Sequence, residues 1–246
     1  MTDDLSAAWA EIRARMLTVA LPDSRFDMDL DSFIPAFPGV EAASSAAAAT
    51  EMFQAARTLF VTPDNAMQPL RRLALAAGKT IVMPTYGLRR GFLSLGPANV
   101  DPALALYASW GDGAEHFGTF VPIAEVSAIG PLDLCLVGAA AVTSAGRRFG
   151  MGHRYFDVEW NILRAAGLVS DATQSWTVVH EYQVLERAAA GGMDEVGVDQ
   201  IFTPSRTIAS PQPLRPSRLR PETLGLLFGD APPAAVAEAV RLAPAA

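Results

Sequence analysis

The chain has 246 residues, 50% hydrophobic and 18% charged, a balance that fits one large folded α/β domain and excludes a disordered chain. Its formal net charge of −7 excludes the basic excess typical of nucleic-acid binders. No apolar run approaches the roughly 20 residues needed to cross a bilayer, and the acidic start MTDDLSAAW differs from a secretory leader, so a cytoplasmic protein acting on a small molecule is expected.

Leu5–Leu17 has helical periodicity, with Trp9, Ile12 and Met16 on one face and Arg13 on another. Leu21–Phe37, rich in Pro and Asp, reads as an irregular wrap that leads into the turn Ile34–Gly39. The alanine-rich Val40–Arg57 predicts one helix by propensity, followed by a strand at Leu59–Val61 and the stop Thr62-Pro63-Asp64. Met67–Ala77 predicts a second helix ended by Gly78, and Thr80–Met83 a strand ending at Pro84-Thr85-Tyr86. Gly87–Pro97 reads as a loop or short hairpin, Asp101–Ser109 as a short helix, and Thr119–Ile123 as the one strand within Gly111–Ile123.

The stretch Asp133–Trp160 organises the chain. Leu134–Val137 is an apolar run expected in a buried parallel strand, and Cys135 lies within it as a small hydrophobe; a single cysteine excludes any disulfide within the chain. A loop of small residues follows, then Gly146, Arg147, Arg148, Gly150, Gly152, His153 and Arg154, then a helix to about Ala166. Strand, glycine-rich basic loop and helix start together form a frequent anion-binding arrangement, because glycine admits close approach and the helix start offers unbonded N–H groups. Trp176–His180 and Asp199–Thr203 predict two further strands. After Ser210 the chain turns proline-rich, with a small helix near Pro232–Leu242. The expected organisation is residues 1–210 as an α/β domain and 211–246 as a peripheral appendage, an oligomer contact in a homodimer.

The alternation of helix and strand predicts an open, mostly parallel sheet with helices on both faces. Ligands in such sheets sit beyond the carboxyl ends of the strands. The residues just past each strand are therefore the candidates for the site: Pro63-Asp64, Pro84-Thr85-Tyr86, the Gly146–Asp157 loop, His180–Gln183 and Thr203–Arg206. Arg148 and Arg154 beside glycines can hold a phosphate or carboxylate, or stand in solvent as ordinary loop arginines. Asp157 can hold Mg²⁺ or serve the helix dipole. His153 and His180 are acid–base candidates, with an exposed loop histidine and a structural strand-end histidine as the plainer alternatives. Asp199 and Thr203 either meet a ligand or simply terminate a strand. The three histidines match no zinc spacing, and no G-x-S-x-G elbow is present. Of 19 basic residues only Lys79 is a lysine, so any role that needs an ammonium has one candidate.

These residues resemble the 5-formyltetrahydrofolate cyclo-ligase family, in its divergent methenyltetrahydrofolate synthetase domain-containing branch. The signature Gly-x-Arg-(Leu/Ile)-Gly-x-Gly-x-Gly-Tyr-(Tyr/Ala)-Asp stands here as Gly146–Asp157, and the branch's Asp-Leu-Glu-Trp/Tyr as Asp157-Val158-Glu159-Trp160. Further landmarks come in order: Ile34-Pro35, Pro63-Asp64, Arg71, Gly78-Lys79, Met83-Pro84-Thr85, Val179-His180, Gln183-Val184, Val198-Asp199 and Thr203-Pro204. The resemblance implies a fold like the NagB, RpiA and CoA-transferase type. It also implies closure of a reduced folate, 5-formyltetrahydrofolate, to 5,10-methenyltetrahydrofolate with ATP and Mg²⁺. In that chemistry the formyl oxygen takes the γ-phosphoryl group, N10 attacks the same carbon, and phosphate leaves.

By the same resemblance Arg13, Arg71, Gly150, Gly152, Tyr155 and Thr203 would serve ATP, and Asp157 would hold Mg²⁺. Tyr86, Glu159, Trp160 and Gln183 would meet the substrate, with Arg148, His153, Arg154 and His180 as catalytic groups. This chain departs from the pattern at Met151, where a basic residue is common, and at Arg154, where a glycine is. Arg13 and Arg15 are the N-terminal cations where true synthetases offer a lysine. Two alternatives accompany the ligase: an ATP-independent hydrolase, lyase or cyclase using His153 or His180, and a non-catalytic ligand-binding protein.

Overall fold

The computed structural model describes residues 3–150, 152–186, 195–211, 213–216, 219, 221–229 and 232–242, with the main chain alone for Asp3, Asp4, His153, Pro221, Glu222 and Leu242. In chain order it begins with α1 (Asp3–Met16), α2 (Val40–Ala48), α3 (Glu51–Ala55), β1 (Thr58–Val61), α4 (Gln68–Ala76), β2 (Thr80–Pro84) and β3 (Phe92–Leu95). There follow α5 (Ala105–Ala108), α6 (Gly111–Phe117), β4 (Thr119–Val121), β5 (Leu134–Leu136), β6 (Ala141–Thr143), β7 (Arg148–Phe149) and α7 (His153–Ala165). The chain continues through β8 (Gln174–Val178), β9 (Val184–Leu185), β10 (Gln200–Phe202), β11 (Thr207–Ala209), α8 (Pro221–Phe228) and α9 (Ala234–Leu242).

The main sheet runs β11-β10-β8-β5-β1-β2-β3-β4. Its centre, from β10 to β2, is parallel, and the strands added outside it are antiparallel. The open, mostly parallel α/β sheet expected from the sequence is therefore the observed one. Parallel strands covered on both faces read as continuous apolar runs, and β1 alternates between two cores: Leu59 and Val61 face one, Phe60 the other. The first core takes α1, α2 and α4; the second takes α7 and the C-terminal helices, through Phe156, Trp160 and Val236. A small sheet, β7-β6-β9, stands beside the main one. Among the described residues no helix is long and apolar enough to cross a membrane.

The structure differs from expectation at several elements. Val40–Arg57 is two helices, because the Thr50 hydroxyl accepts the Phe53 N–H at 3.3 Å and caps a new start. α6 is hidden in the sequence by two poor helix formers, Gly111 and Gly113. Gly113 is needed there: a Cβ would stand 1.8 Å from the Tyr107 carbonyl oxygen of α5. The loop of small residues after β5 holds the β6–β7 hairpin. The proline-rich C-terminal segment carries α8 as well as α9, and both pack on α7.

Candidate active site

The chain runs from β1 to its neighbour β2 and later returns to β5 on the other side of β1. Between two such strands the connections leave in opposite directions, and a crevice opens beyond their carboxyl ends. The Thr62 hydroxyl, just after β1, donates to Asp64 Oδ2 at 2.6 Å and accepts the Gly138 N–H, just after β5, at 2.8 Å. Arg71 of α4, fully buried, donates to the carbonyls of Thr62 (2.6 Å), Asp64 (3.0 Å) and Ser109 (2.8 Å). Burial lowers its pKa to about 10 against the pull of Asp64, and its donors fix the loop that presents Asp64. Gly138 leaves that carboxylate its space: a Cβ would stand 2.1 Å from Asp64 Oδ2.

α7 closes the crevice with Tyr155 and Glu159, which lie at i and i+4 on one helix face. Glu159 is 5% exposed, and its Oε2 has no hydrogen-bond partner among the described residues. Burial pushes its carboxyl up to about 8, with Asp64 and Asp157 adding to the shift and Arg148 opposing it. At neutral pH this favours the protonated acid. Asp64 is also raised, by burial, while the Thr62 hydrogen bond, Arg71 and Arg148 hold it down. Burial raises Tyr155 too, helped by Tyr86 and Glu159 and opposed by Arg89, which places the Tyr86–Arg89 turn beside it.

Gly150 and Gly152 have left-handed φ of 88° and 68°, as a loop that doubles back into a helix requires. Gly150 abuts Trp9 of α1 and Ala140, so a Cβ there would stand 3.0 Å from the indole. Gly152 precedes α7 with open space around it and has no side chain of its own to cap the helix start. Arg154, in the first turn, is partly exposed with Nη2 3.8 Å from Glu195. The side chain of His153, like Met151 as a whole, lies outside the described residues.

Other expected site residues are engaged by partners within the protein. Arg148 is buried, with Nη2 2.8 Å from Asp157 Oδ1 and Nε on the Val196 carbonyl. Asp157 Oδ1 also accepts the Val196 N–H at 2.9 Å, so this pair ties the hairpin, α7 and the Glu195–Val198 segment together. His180 sits between the rings of Phe37 and Tyr182, and its Nδ1 accepts the Tyr182 N–H. Burial lowers its pKa, with Arg15 adding and Glu181 opposing. Gln183 donates to the carbonyls of Ala139 and Ala140 at 3.0 Å each and accepts the His180 N–H. Thr203 closes the β10–β11 turn against Arg206. Trp160 is buried behind α7 near Phe156 and Arg215. Arg13 pairs with Asp31 at 3.0 Å. Lys79 precedes β2, so it belongs to the amino edge of the sheet, where its Nζ donates to the carbonyls of Gln54 and Ala56. A groove of about 510 Å³ opens at that edge, by Thr58, Thr80 and Asn99, away from the crevice.

Sequence alone marks Pro63-Asp64 as strand-following residues without giving Asp64 a role. A hydroxyl two residues before an acid, at a strand end, is the signal available there. Gly138, Arg89 and the C-terminal Phe228 carry none, because each matters only through contacts distant in sequence.

The sequence matches the 5-formyltetrahydrofolate cyclo-ligase family over residues 8–204. It is 33% identical over 198 residues to the methenyltetrahydrofolate synthase domain-containing protein of Mus musculus, an alignment covering 79% of this chain and 51% of that protein. The Homo sapiens protein of the same description is 31% identical over 180 residues, covering 72% of this chain and 46% of its own length. The chain thus spans about half the length of these curated relatives. The NMR structure of Aquifex aeolicus 5,10-methenyltetrahydrofolate synthetase is similar at a TM-score of 0.48 and 17% identity, covering 83% of this chain and 93% of that one. With residues 8–204, four fifths of its length, matched to the family model and the Gly146–Asp157 signature at the start of α7, the chain belongs to the 5-formyltetrahydrofolate cyclo-ligase family.

Proposed function

We propose that this chain closes 5-formyltetrahydrofolate to 5,10-methenyltetrahydrofolate with ATP, in the crevice between β1 and β5. The observation that carries the reading is the spacing along α7. The open helix start at Gly152 and the buried acid Glu159 are seven residues apart, about 10 Å along the axis. A phosphate chain at the helix start and a heterocycle at Glu159 would then meet end to end, as phosphoryl transfer to a formyl oxygen requires.

The residues fit the triphosphate. Gly152 admits close approach and has no side chain to cap the start of α7, and Arg154 supplies a cation. Lys79 belongs to the far edge, so Arg154 takes the part of the ammonium. Mg²⁺ fits less simply. Asp157 gives Oδ1 to Arg148 and Val196, and among the described residues no three metal-binding side chains cluster. A Mg²⁺ bound chiefly through phosphates keeps several waters and needs few ligands from the protein. Arriving with ATP, the metal would neutralise charge on the transferred phosphoryl group.

The chain's own groups then have distinct parts. Asp64, fixed by Thr62, accepts hydrogen bonds from N–H groups of the substrate ring. Glu159, protonated, donates one to the substrate's carbonyl edge. An ATP-independent reaction led by His180 has weaker support, since that ring is packed between aromatics with Nδ1 engaged.

Absorbance of the methenyl product, followed with purified protein, 5-formyltetrahydrofolate and Mg·ATP, tests the reading. ATP-dependent product is expected. Product without ATP would move the reaction to the ATP-independent class, and the absence of both product and ATP binding would refute the enzyme.

A further inference from the structure

Rings from three separate parts of the chain gather at the mouth of the crevice. Tyr86 opens the turn after β2 and is 73% exposed. Tyr155 stands in the first turn of α7, half-buried. Phe228 is the last residue of α8, beyond the residues matched to the family. Its ring meets that of Tyr155 edge to face with centroids 6.0 Å apart. A Cβ placed on Gly87, next to Tyr86, would stand 4.0 Å from the Phe228 ring. The C-terminal helix thus touches the Tyr155 ring and lies beside the turn that carries Tyr86.

The turn that carries Tyr86 holds a strained residue. Leu88 has φ of 55°, a conformation that side chains beyond glycine adopt at a cost. Burial of its side chain and the Thr85 hydroxyl, which donates to the Gly91 carbonyl and accepts the Arg90 N–H, hold the turn in place. Tyr86 is exposed although Leu88, two residues on, is buried in the core. An exposed ring, a half-buried ring and a third ring from a distant helix, near a buried acid whose Oε2 has no hydrogen-bond partner among the described residues, make a surface suited to a flat polar ligand.

We propose that α8 forms a wall of the ligand site, where Phe228 with Tyr86 and Tyr155 grips a flat, nitrogen-rich bicyclic ring whose polar edge is turned toward Glu159 and Asp64. The proposal rests on the reading of this crevice as the folate site and adds a specificity element from outside the family-matched residues. Two ligands share that chemistry: the ring of the reduced folate and the adenine of ATP.

The test uses the full chain with Phe228→Ala, Phe228→Leu and Phe228→Tyr, and Leu226→Ala as a control on the exposed side of the same helix. Calorimetry measures binding of 5-formyltetrahydrofolate, pterin-6-carboxylate and ATP, each alone, and thermal midpoints check folding. Loss of a ring that stacks on a heterocycle weakens binding about 10-fold. The Ala and Leu variants are expected to lose about that factor for one ligand, the Tyr variant to restore most of it, and Leu226→Ala to change nothing. Loss confined to the two pterins assigns the mouth to the folate, and loss confined to ATP assigns it to adenine. In turnover the change should appear in KM for that ligand, with kcat little altered. Equal binding by wild type and Phe228→Ala, or no binding of any of the three ligands by wild type, overturns the proposal. Phe228-dependent binding without ring closure would leave the wall standing and refute the proposed reaction instead.

Discussion

Arg148 and Asp157 meet at 2.8 Å with side chains 2% and 1% exposed. Both belong to the loop-and-helix signature that the family uses, yet in this chain they face each other, and they join the β6–β7 hairpin to α7. A buried charge that loses its partner is costly, typically about 3–5 kcal/mol. Asp157→Ala and Arg148→Met should each lower unfolding free energy in urea by about that amount. The double variant Arg148→Met/Asp157→Leu should recover much of the loss, since no lone charge is left. If Asp157→Ala instead left stability unchanged and abolished Mg·ATP binding, its part would be metal coordination.

Glu159 makes stability depend on pH in a definite direction. Its carboxyl is raised from an ordinary 4.5 to about 8, so between those values the folded protein keeps a proton that the unfolded chain has released. This group therefore costs nothing below about pH 4.5, costs more as pH rises toward 8, and a constant amount above. Glu159→Gln removes the cost. Its thermal midpoint should match that of wild type near pH 4.5 and exceed it at pH 8, by a difference on the order of a few kcal/mol in stability. A difference independent of pH would show that Glu159 is not the buried titrating acid.

Gly138 should be intolerant of a methyl group for a chemical reason as well as a packing one. Its Cβ would overlap Asp64 Oδ2 and drive the carboxylate from its bond with Thr62. Gly138→Ala is expected to lose about 1–3 kcal/mol of stability and to lower kcat/KM at least as far as Asp64→Asn does. Activity close to wild type in both would remove Asp64 from the site.

Lys79 is expected to be structural. Its ammonium donates to the carbonyls of Gln54 and Ala56 and lies 5.2 Å from the centre of the Phe53 ring, at the edge of the sheet away from the crevice. Lys79→Met should cost about 1–3 kcal/mol of stability and leave kcat/KM of the folded enzyme within about twofold. A large loss of turnover with unchanged stability would contradict this placement.

The parts legible in the sequence are those whose cause is local. Continuous apolar runs mark β1, β2 and β5, and periodicity marks α1, α4 and α7. Glycines with a helix pattern behind them mark the loop at Gly150 and Gly152. The features that escape depend on distant partners or on masked local signals. The Thr50 cap is masked by the alanine propensity around it, and Gly111 and Gly113 conceal α6. The same limit applies to the site. Arginine beside glycine reads as a phosphate ligand, and nothing local announces that Asp157 and the Val196 carbonyl also engage Arg148. Asp64 reads as a turn residue until Gly138 and Glu159, from other strands and helices, are seen around it. Phe228 is unreadable because nothing in a proline-rich tail announces which ring it will meet.

The central claim is that the crevice between Asp64 and the Tyr155–Glu159 face of α7 performs ATP-dependent closure of 5-formyltetrahydrofolate. Methenyl absorbance from wild type and Glu159→Gln, each with and without ATP at pH 7, tests it most directly. The account predicts ATP-dependent product from wild type and at least a tenfold lower kcat from the variant, with a thermal midpoint equal to or above that of wild type. Equal turnover by the two proteins, or no product from a wild type that is folded and supplied with Mg·ATP, would contradict it.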